Sequence, residues 1–126
     1  LRQVFGDNQT IEKETFSDLD KGFVSRFKSL VEERMKDAEL NVEDLGRNMG
    51  MSRVQLYRKL NSLTNYSPNE LLRQMRLKKA ASLLASSDMT VAEIAYEVGF
   101  SSPSYFTKCY KEQFGESPTE FLKRRG

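Results

Sequence analysis

NVEDLGRNMGMSRVQLYRKLNSLTNYSPNELL (residues 41–72) and TVAEIAYEVGFSSPSYFTKCYKEQFGESPTEFL (residues 90–122) are two copies of one pattern. Val42, Leu45, Gly50 and Ser52 align with Val91, Ile94, Gly99 and Ser101 at an offset of 49. Ser67, Pro68, Glu70, Leu71 and Leu72 align with Ser117, Pro118, Glu120, Phe121 and Leu122 at an offset of 50. One extra residue therefore sits in the second copy, between Gly99 and Pro103. Each copy reads as a short helix, a glycine turn, a second helix, a capped stop and the start of a third helix. That is a helix-turn-helix unit, and a tandem pair of them points to DNA.

The punctuation between helices supports this reading. Asn41 caps a helix expected over Val42 to Met49, with Asp44 at its third position. Gly46 falls where the next helix must pack closely, and its counterpart Ala95 is also small. Gly50 and Gly99 end the first helices, where a turn asks for the positive φ that glycine takes without a Cβ clash. Ser52 with Gln55 opens the next helix as a capping box, and Asn65 suits a left-handed stop after Thr64. Ser67, Pro68 and Glu70 then supply a cap, a first-turn proline and a third-position glutamate. The helix they open is expected to run to about Ala85, with Leu71, Met75, Leu77, Ala80, Ala81 and Leu84 as its apolar stripe. Thr90 with Glu93 opens Val91 to Val98. Ser102 and Pro103 open a helix that Gly115 closes. Ser117, Pro118 and Glu120 open the last, which ends in the basic tail Lys123, Arg124 and Arg125.

Upstream of the repeats, DLDKGFVSRFKSLVEERMKD (18–37) places Phe23, Phe27, Leu30, Val31 and Met35 at helical spacing. One amphipathic helix from about Lys21 to Asp37 follows, with Arg26, Lys28, Glu32, Glu33, Arg34 and Lys36 as a solvated face. Residues 1–17 are polar and lack a sustained period. The expected fold is all-α, with about seven helices and no strand. A linker covers 1–19, a first helix-turn-helix subdomain 20–66, a connecting helix 67–86 and a second subdomain 87–126.

Composition narrows the chemistry. A chain of 126 residues with 38% hydrophobic content holds one domain or two small ones. No apolar run approaches the roughly 18 residues of a membrane span, so no membrane contact is expected. The chain starts at Leu1, its first ten residues are no signal peptide, and a piece of a longer protein is expected. With no histidine and no tryptophan, His-based triads and nearly all zinc sites are excluded. The lone Cys109 cannot form an internal disulfide, which fits a reducing cytoplasm. The overall net charge of +2 says little, but its distribution says more. Residues 1–48 carry 11 acids and 8 bases, whereas residues 49–126 carry 7 acids and 12 bases. The basic excess falls on the repeats, where a phosphate-facing surface would lie.

Helical geometry, at about 100° per residue, divides the second helix of each unit into two sides. In the first, Leu56, Leu60 and Leu63 face the core. Val54, Arg58 and Asn61 face away, with Tyr57 on one flank and Ser62 on the other. In the second, Phe106 and Tyr110 face inward. Ser104, Lys108 and Lys111 face away, with Thr107 on the flank. Arg58 and Lys108 are equivalent, and each can donate to guanine O6/N7 or to phosphate. Val54 and Tyr57 are apolar groups on an outward side, suited to thymine methyls or base edges. Tyr105 and Cys109 lie beside the core side and read as structural. The connecting helix, at about 27 Å for some 18 residues, suits two recognition helices held near one DNA turn apart, about 34 Å. Its bases Arg73, Arg76, Lys78 and Lys79 read as solvated.

These stretches carry a family likeness. VGFSSPSYFTKCYKEQFGESPTEF (98–121) resembles the second helix-turn-helix signature of the AraC/XylS family of bacterial transcription regulators. MGMSRVQLYRKLNSLTNYSPNELL (49–72) resembles its first unit, and RLKKAASLL (76–84) its joining segment. The resemblance covers about residues 20–125. It implies two subdomains joined by a long helix, each presenting a recognition helix to successive major-groove segments on one face of double-stranded DNA. The family's base-reading positions fall on Val54, Tyr57 and Arg58, and on Pro103, Ser104 and Lys108. Pro103 and Ser104 stand where some members carry longer polar side chains, which points to a second unit that mainly grips backbone. The wording around LNVEDLGRNMGMSRVQLYRKL also looks like the output domain of hybrid two-component regulators, which implies an upstream sensor or receiver in the same chain. RNA polymerase is a further candidate partner.

The candidate DNA-binding residues are thus Ser52, Arg53, Val54, Gln55, Tyr57, Arg58 and Asn61 in the first unit. In the second they are Ser102, Pro103, Ser104, Thr107, Lys108 and Lys111. No cofactor or metal is expected. An enzyme is disfavoured, because there is no histidine, no Gly-rich phosphate loop and no carboxylate pair on a shared face. A helical protein-interaction module is the alternative class, and only a DNA binder would show the steep salt dependence of counterion release.

Overall fold

Serine, threonine and asparagine caps set where the helices of this chain begin. The computed structural model describes residues 17–125, so most of the expected linker lies outside the described residues. Seven helices follow in order: α1 Asp18–Arg34, α2 Val42–Asn48, α3 Arg53–Thr64, α4 Pro68–Ser86, α5 Val91–Glu97, α6 Pro103–Phe114 and α7 Pro118–Arg125. The described residues contain no strand.

The helix starts follow the expected chemistry. Asn41 accepts from Asp44 N at 2.9 Å. Reciprocal capping boxes form at Ser52/Gln55, Ser67/Glu70, Thr90/Glu93 and Ser117/Glu120. Asn65 (φ 66°) and Gly115 (φ 83°) stop α3 and α6 in the left-handed region. Two placements differ from expectation. Helix α1 begins at Asp18, because the Ser17 hydroxyl accepts from Asp20 N. It ends at Arg34, before the expected Asp37, because the Asp37 carboxylate turns the chain by accepting from Glu39 N at 2.9 Å and from Arg34. The counterpart of Ser52 is Ser102, not Ser101. Met51 N and Phe100 N make equivalent bonds to Gly46 O and Ala95 O, and both Ser52 and Ser102 are N-caps. Ser101 is therefore the inserted residue.

Packing builds two cores around one shared helix. Phe27 and Val31 of α1, Leu45 of α2, and Leu56 and Leu60 of α3 close over Leu71 and Leu72 of α4. Further along, Leu77, Ala80 and Leu84 of α4 meet Ile94, Val98, Phe106 and Tyr110. The principal helix packings lie within one unit or involve α4. Gly46 is small because the turn that leads into α3, rather than that helix itself, comes close: a Cβ there would lie 2.8 Å from Met51 O.

The capping carboxylates make acid stability predictable. The backbone hydrogen bond from Ser67 holds the Glu70 carboxyl below the usual glutamate range, and Ser117 does the same for Glu120. A lowered folded value contributes stability that is complete above the ordinary value, about 4.3, and lost as pH falls through the folded value. The double variant Glu70→Gln, Glu120→Gln keeps the acceptor, as Gln55 does in the Ser52 box. It is expected to be somewhat less stable than the parent at pH 7, to lose less stability below about pH 4 and so to converge with the parent in acid. Urea midpoints at pH 7 and pH 3 check this; parallel acid limbs would discount the caps.

Candidate nucleic-acid interface

Burial of Leu56 and Leu60 turns the opposite side of α3 to solvent. Val54 is 57% exposed and Tyr57 50% exposed, which leaves apolar surface of each open on this side. Arg53, Arg58 and Asn61 are exposed beside them. Ser52 and Gln55 are also exposed, but their capping bonds already use the Ser52 hydroxyl as an acceptor and the Gln55 carbonyl oxygen. What remains for a ligand is the Ser52 hydroxyl hydrogen and the Gln55 amide NH2.

The second unit repeats the arrangement with different side chains. Phe106 and Tyr110 are buried, and Ser104, Lys108 and Lys111 are exposed. Pro103 and Thr107 are half-buried at the edge of that face. Ser102, also half-buried, accepts from Tyr105 N at 3.2 Å. Arg53, Arg58, Lys108 and Lys111 pair with no carboxylate among the described residues. By contrast, Lys59 of α3 is held by Asp20 at 3.7 Å and stands 5.1 Å from the centre of the Phe23 ring. Lys59 thus serves the α1–α3 contact rather than the outward face.

Several side chains behave differently from the sequence reading. Cys109 is buried as expected, but Tyr105 is 51% exposed. Its ring makes a tilted pair with Phe100 at 5.9 Å between centroids. The neighbouring Cys109 thiol holds its phenol above the usual tyrosine range, opposed by Arg73. Three charges of α1 and its loop are engaged rather than simply solvated. Arg26 donates to Asn48 O at 2.9 Å, Arg34 pairs with Asp37, and Lys36 reaches Glu97 of the second unit at 3.2 Å. Arg76 is half-buried and donates to Asp37 O at 2.8 Å. In the basic tail, Arg124 pairs with Glu116 and Arg125 donates to Leu84 O. Periodicity marks such residues as polar. It carries no signal for a partner 39 residues away.

Residues 45–124 match the model of a family described as a helix-turn-helix domain. The chain belongs to the AraC-type helix-turn-helix family. This places it among DNA-binding domains of transcription regulators. It is 36% identical over 110 residues to a protein named Histidine kinase P4 of Formosa agariphila, covering 87% of this chain and 8% of that protein. It is 32% identical over 87 residues to the HTH-type transcriptional activator RhaS of Escherichia coli, covering 69% and 31%. The chain therefore spans under a tenth of the first relative and about a third of the second. The DNA-binding domain of AdpA, a global transcriptional factor solved with a target DNA, superposes with a TM-score of 0.74. It is 30% identical, and the match covers 79% of this chain and 89% of that one. No helix among the described residues is long and apolar enough to cross a membrane.

Proposed function

We propose that this chain is the sequence-specific DNA-binding output domain of a bacterial transcription activator, acting in the cytoplasm. The observation that carries the proposal is the pair of equivalent outward faces on α3 and α6, each with a central base clear of protein carboxylates. Each recognition helix enters one of two successive major-groove segments. On α3, Arg53, Val54, Tyr57, Arg58 and Asn61 meet base edges and the adjoining backbone, with Ser52 and Gln55 at the helix start. On α6, Ser104, Thr107, Lys108 and Lys111, with Ser102 and Pro103 at the start, hold mainly phosphate. Likeness to a transcriptional activator supports the direction of regulation. Likeness to part of a histidine kinase supports an upstream sensor or receiver. RNA polymerase would then be the partner through which activation is read.

Single substitutions separate the two roles. Arg58→Ala is expected to cost about 1–3 kcal/mol on a selected duplex and to relax preference there. Lys108→Ala is expected to weaken all duplexes more evenly and to reduce the salt slope by about one. Titration of both variants on selected and random duplexes at two salt concentrations checks this. Equal losses of Arg58→Ala on both duplexes would remove its base-reading role. A parent with no salt slope would make the domain a protein-interaction module instead.

A further inference from the structure

The two units also meet away from their shared helix. Arg76 projects from the middle of α4 and donates to Asp37 O at 2.8 Å, in the loop that follows α1. That loop is braced, because the Asp37 carboxylate accepts from Glu39 N and Arg34. The other side of the guanidinium lies against Gly99, the turn glycine of the second unit. A Cβ on Gly99 would stand 2.7 Å from Arg76 Nε, 2.9 Å from its Cζ and 2.1 Å from Met35 O. Three elements thus meet on one planar cation: the loop of the first unit, the connecting helix and the turn of the second unit. Lys36 and Glu97 pair at its rim, though an exposed pair of this kind contributes little.

This junction sits next to the recognition machinery. Gly99 precedes the first residue of α6 by four positions, so a shift of its turn moves the start of that helix. Each core is complete within its own unit and α4. Fold stability therefore does not demand the cross-tie. The tie is moreover imperfect as a stabiliser, since buried Arg76 Nε has no hydrogen-bond partner and burial opposes the guanidinium charge. A buried donor left unmade is costly.

We propose that Arg76 is a positioning residue for DNA recognition: by pinning the 35–40 loop to the Gly99 turn, it fixes the angle between the two recognition helices. The proposal rests on the two-helix reading of DNA above. Without the pin, the second unit swivels on the end of α4. Each unit keeps its own contacts, while discrimination between correctly and incorrectly spaced half-elements falls.

The test uses the 126-residue chain and a duplex that it selects from a random-sequence pool. A second duplex carries two extra base pairs between the half-elements, a rotation of roughly 70° and a shift of about 7 Å. The parent is expected to prefer the selected duplex by at least about tenfold, as two linked contacts require. Arg76→Met is expected to fold cooperatively and to reduce that preference to about threefold or less. Arg76→Lys keeps a donor for Asp37 O without the planar contact on Gly99, and should fall between. A folded Arg76→Met with the parent's preference would overturn the proposal. So would unfolding of both variants, which would make Arg76 a fold residue. Failure of the parent to select any duplex would instead defeat the DNA reading itself, a distinguishable result.

Discussion

Gly99→Ala is expected to destabilise the domain by about 3 kcal/mol or more, whereas Gly50→Ala at the matching place in the first unit costs about 1–2 kcal/mol. Both glycines end the first helix of their unit with positive φ, 70° at Gly50 and 96° at Gly99. Alanine pays a backbone penalty at each. The surroundings differ. Around Gly50 a Cβ would meet nothing within 4 Å, but at Gly99 it would strike Met35 O at 2.1 Å and the Arg76 guanidinium. The carbonyl belongs to backbone and cannot swing away as a side-chain tip can. Relief would have to come from moving the Met35 backbone, whose side chain is held in the first core. Against a total stability of about 5–15 kcal/mol, that is a large share. Urea midpoints of the two variants measure the difference. Equal costs at Gly50 and Gly99 would show that the close approach adds nothing beyond backbone strain.

Much of this architecture was legible in the sequence because its signals are local. A cap, a proline or a glutamate at fixed offset acts within one turn of helix, so Ser67 with Glu70 could be read from four letters. The inward and outward sides of α3 and α6 were legible for a related reason. Leu56 and Leu60 fix one side, and helical geometry then gives Val54, Tyr57 and Arg58 the other. What local pattern did not reveal is what sits across space. Lys36 follows Met35 and Arg76 stands between Met75 and Leu77, and nothing in that local pattern distinguishes a solvated base from one that reaches the second unit. Gly99 was recognised as a turn glycine, yet its second reason for lacking a side chain lies at Met35, 64 positions earlier. Tyr105 was legible as a neighbour of the core, but its partner Phe100 was not. Tyr105 borders the buried stripe on the helical wheel, and its ring stands 5.9 Å from that of Phe100 while half of the residue stays exposed.

The position of Ser101 shows how a repeat helps even where it breaks. Matching by letter pairs Ser52 with Ser101, whereas matching by hydrogen bond pairs it with Ser102. Both serines lie next to the helix start, and only the one with extended backbone that accepts from Tyr105 N acts as the cap. The second turn is longer by one residue, so the two units are not superposable copies. That asymmetry accords with their proposed division of labour, in which α3 reads bases and α6 mainly grips backbone.

Insertion of 5 base pairs between the half-elements of a selected duplex is expected to lower affinity by roughly a hundredfold. One chain here carries both recognition helices, an arrangement that many repressors reach only by dimerising. The domain is accordingly expected to bind as a monomer, which light scattering would check. Its two half-elements should then lie about 10 base pairs apart on one face. Helix α4 has 19 residues, or about 28 Å at 1.5 Å each. Five extra base pairs turn the second element to the opposite face, so only one unit can remain engaged. Ten extra base pairs restore the face but add about 34 Å, more than the whole length of α4. Affinity should therefore stay low at both insertions. Recovery at ten would show that the units separate and reach independently, which a helix shared by both cores does not permit. Full affinity at five would mean that a single unit does all the binding.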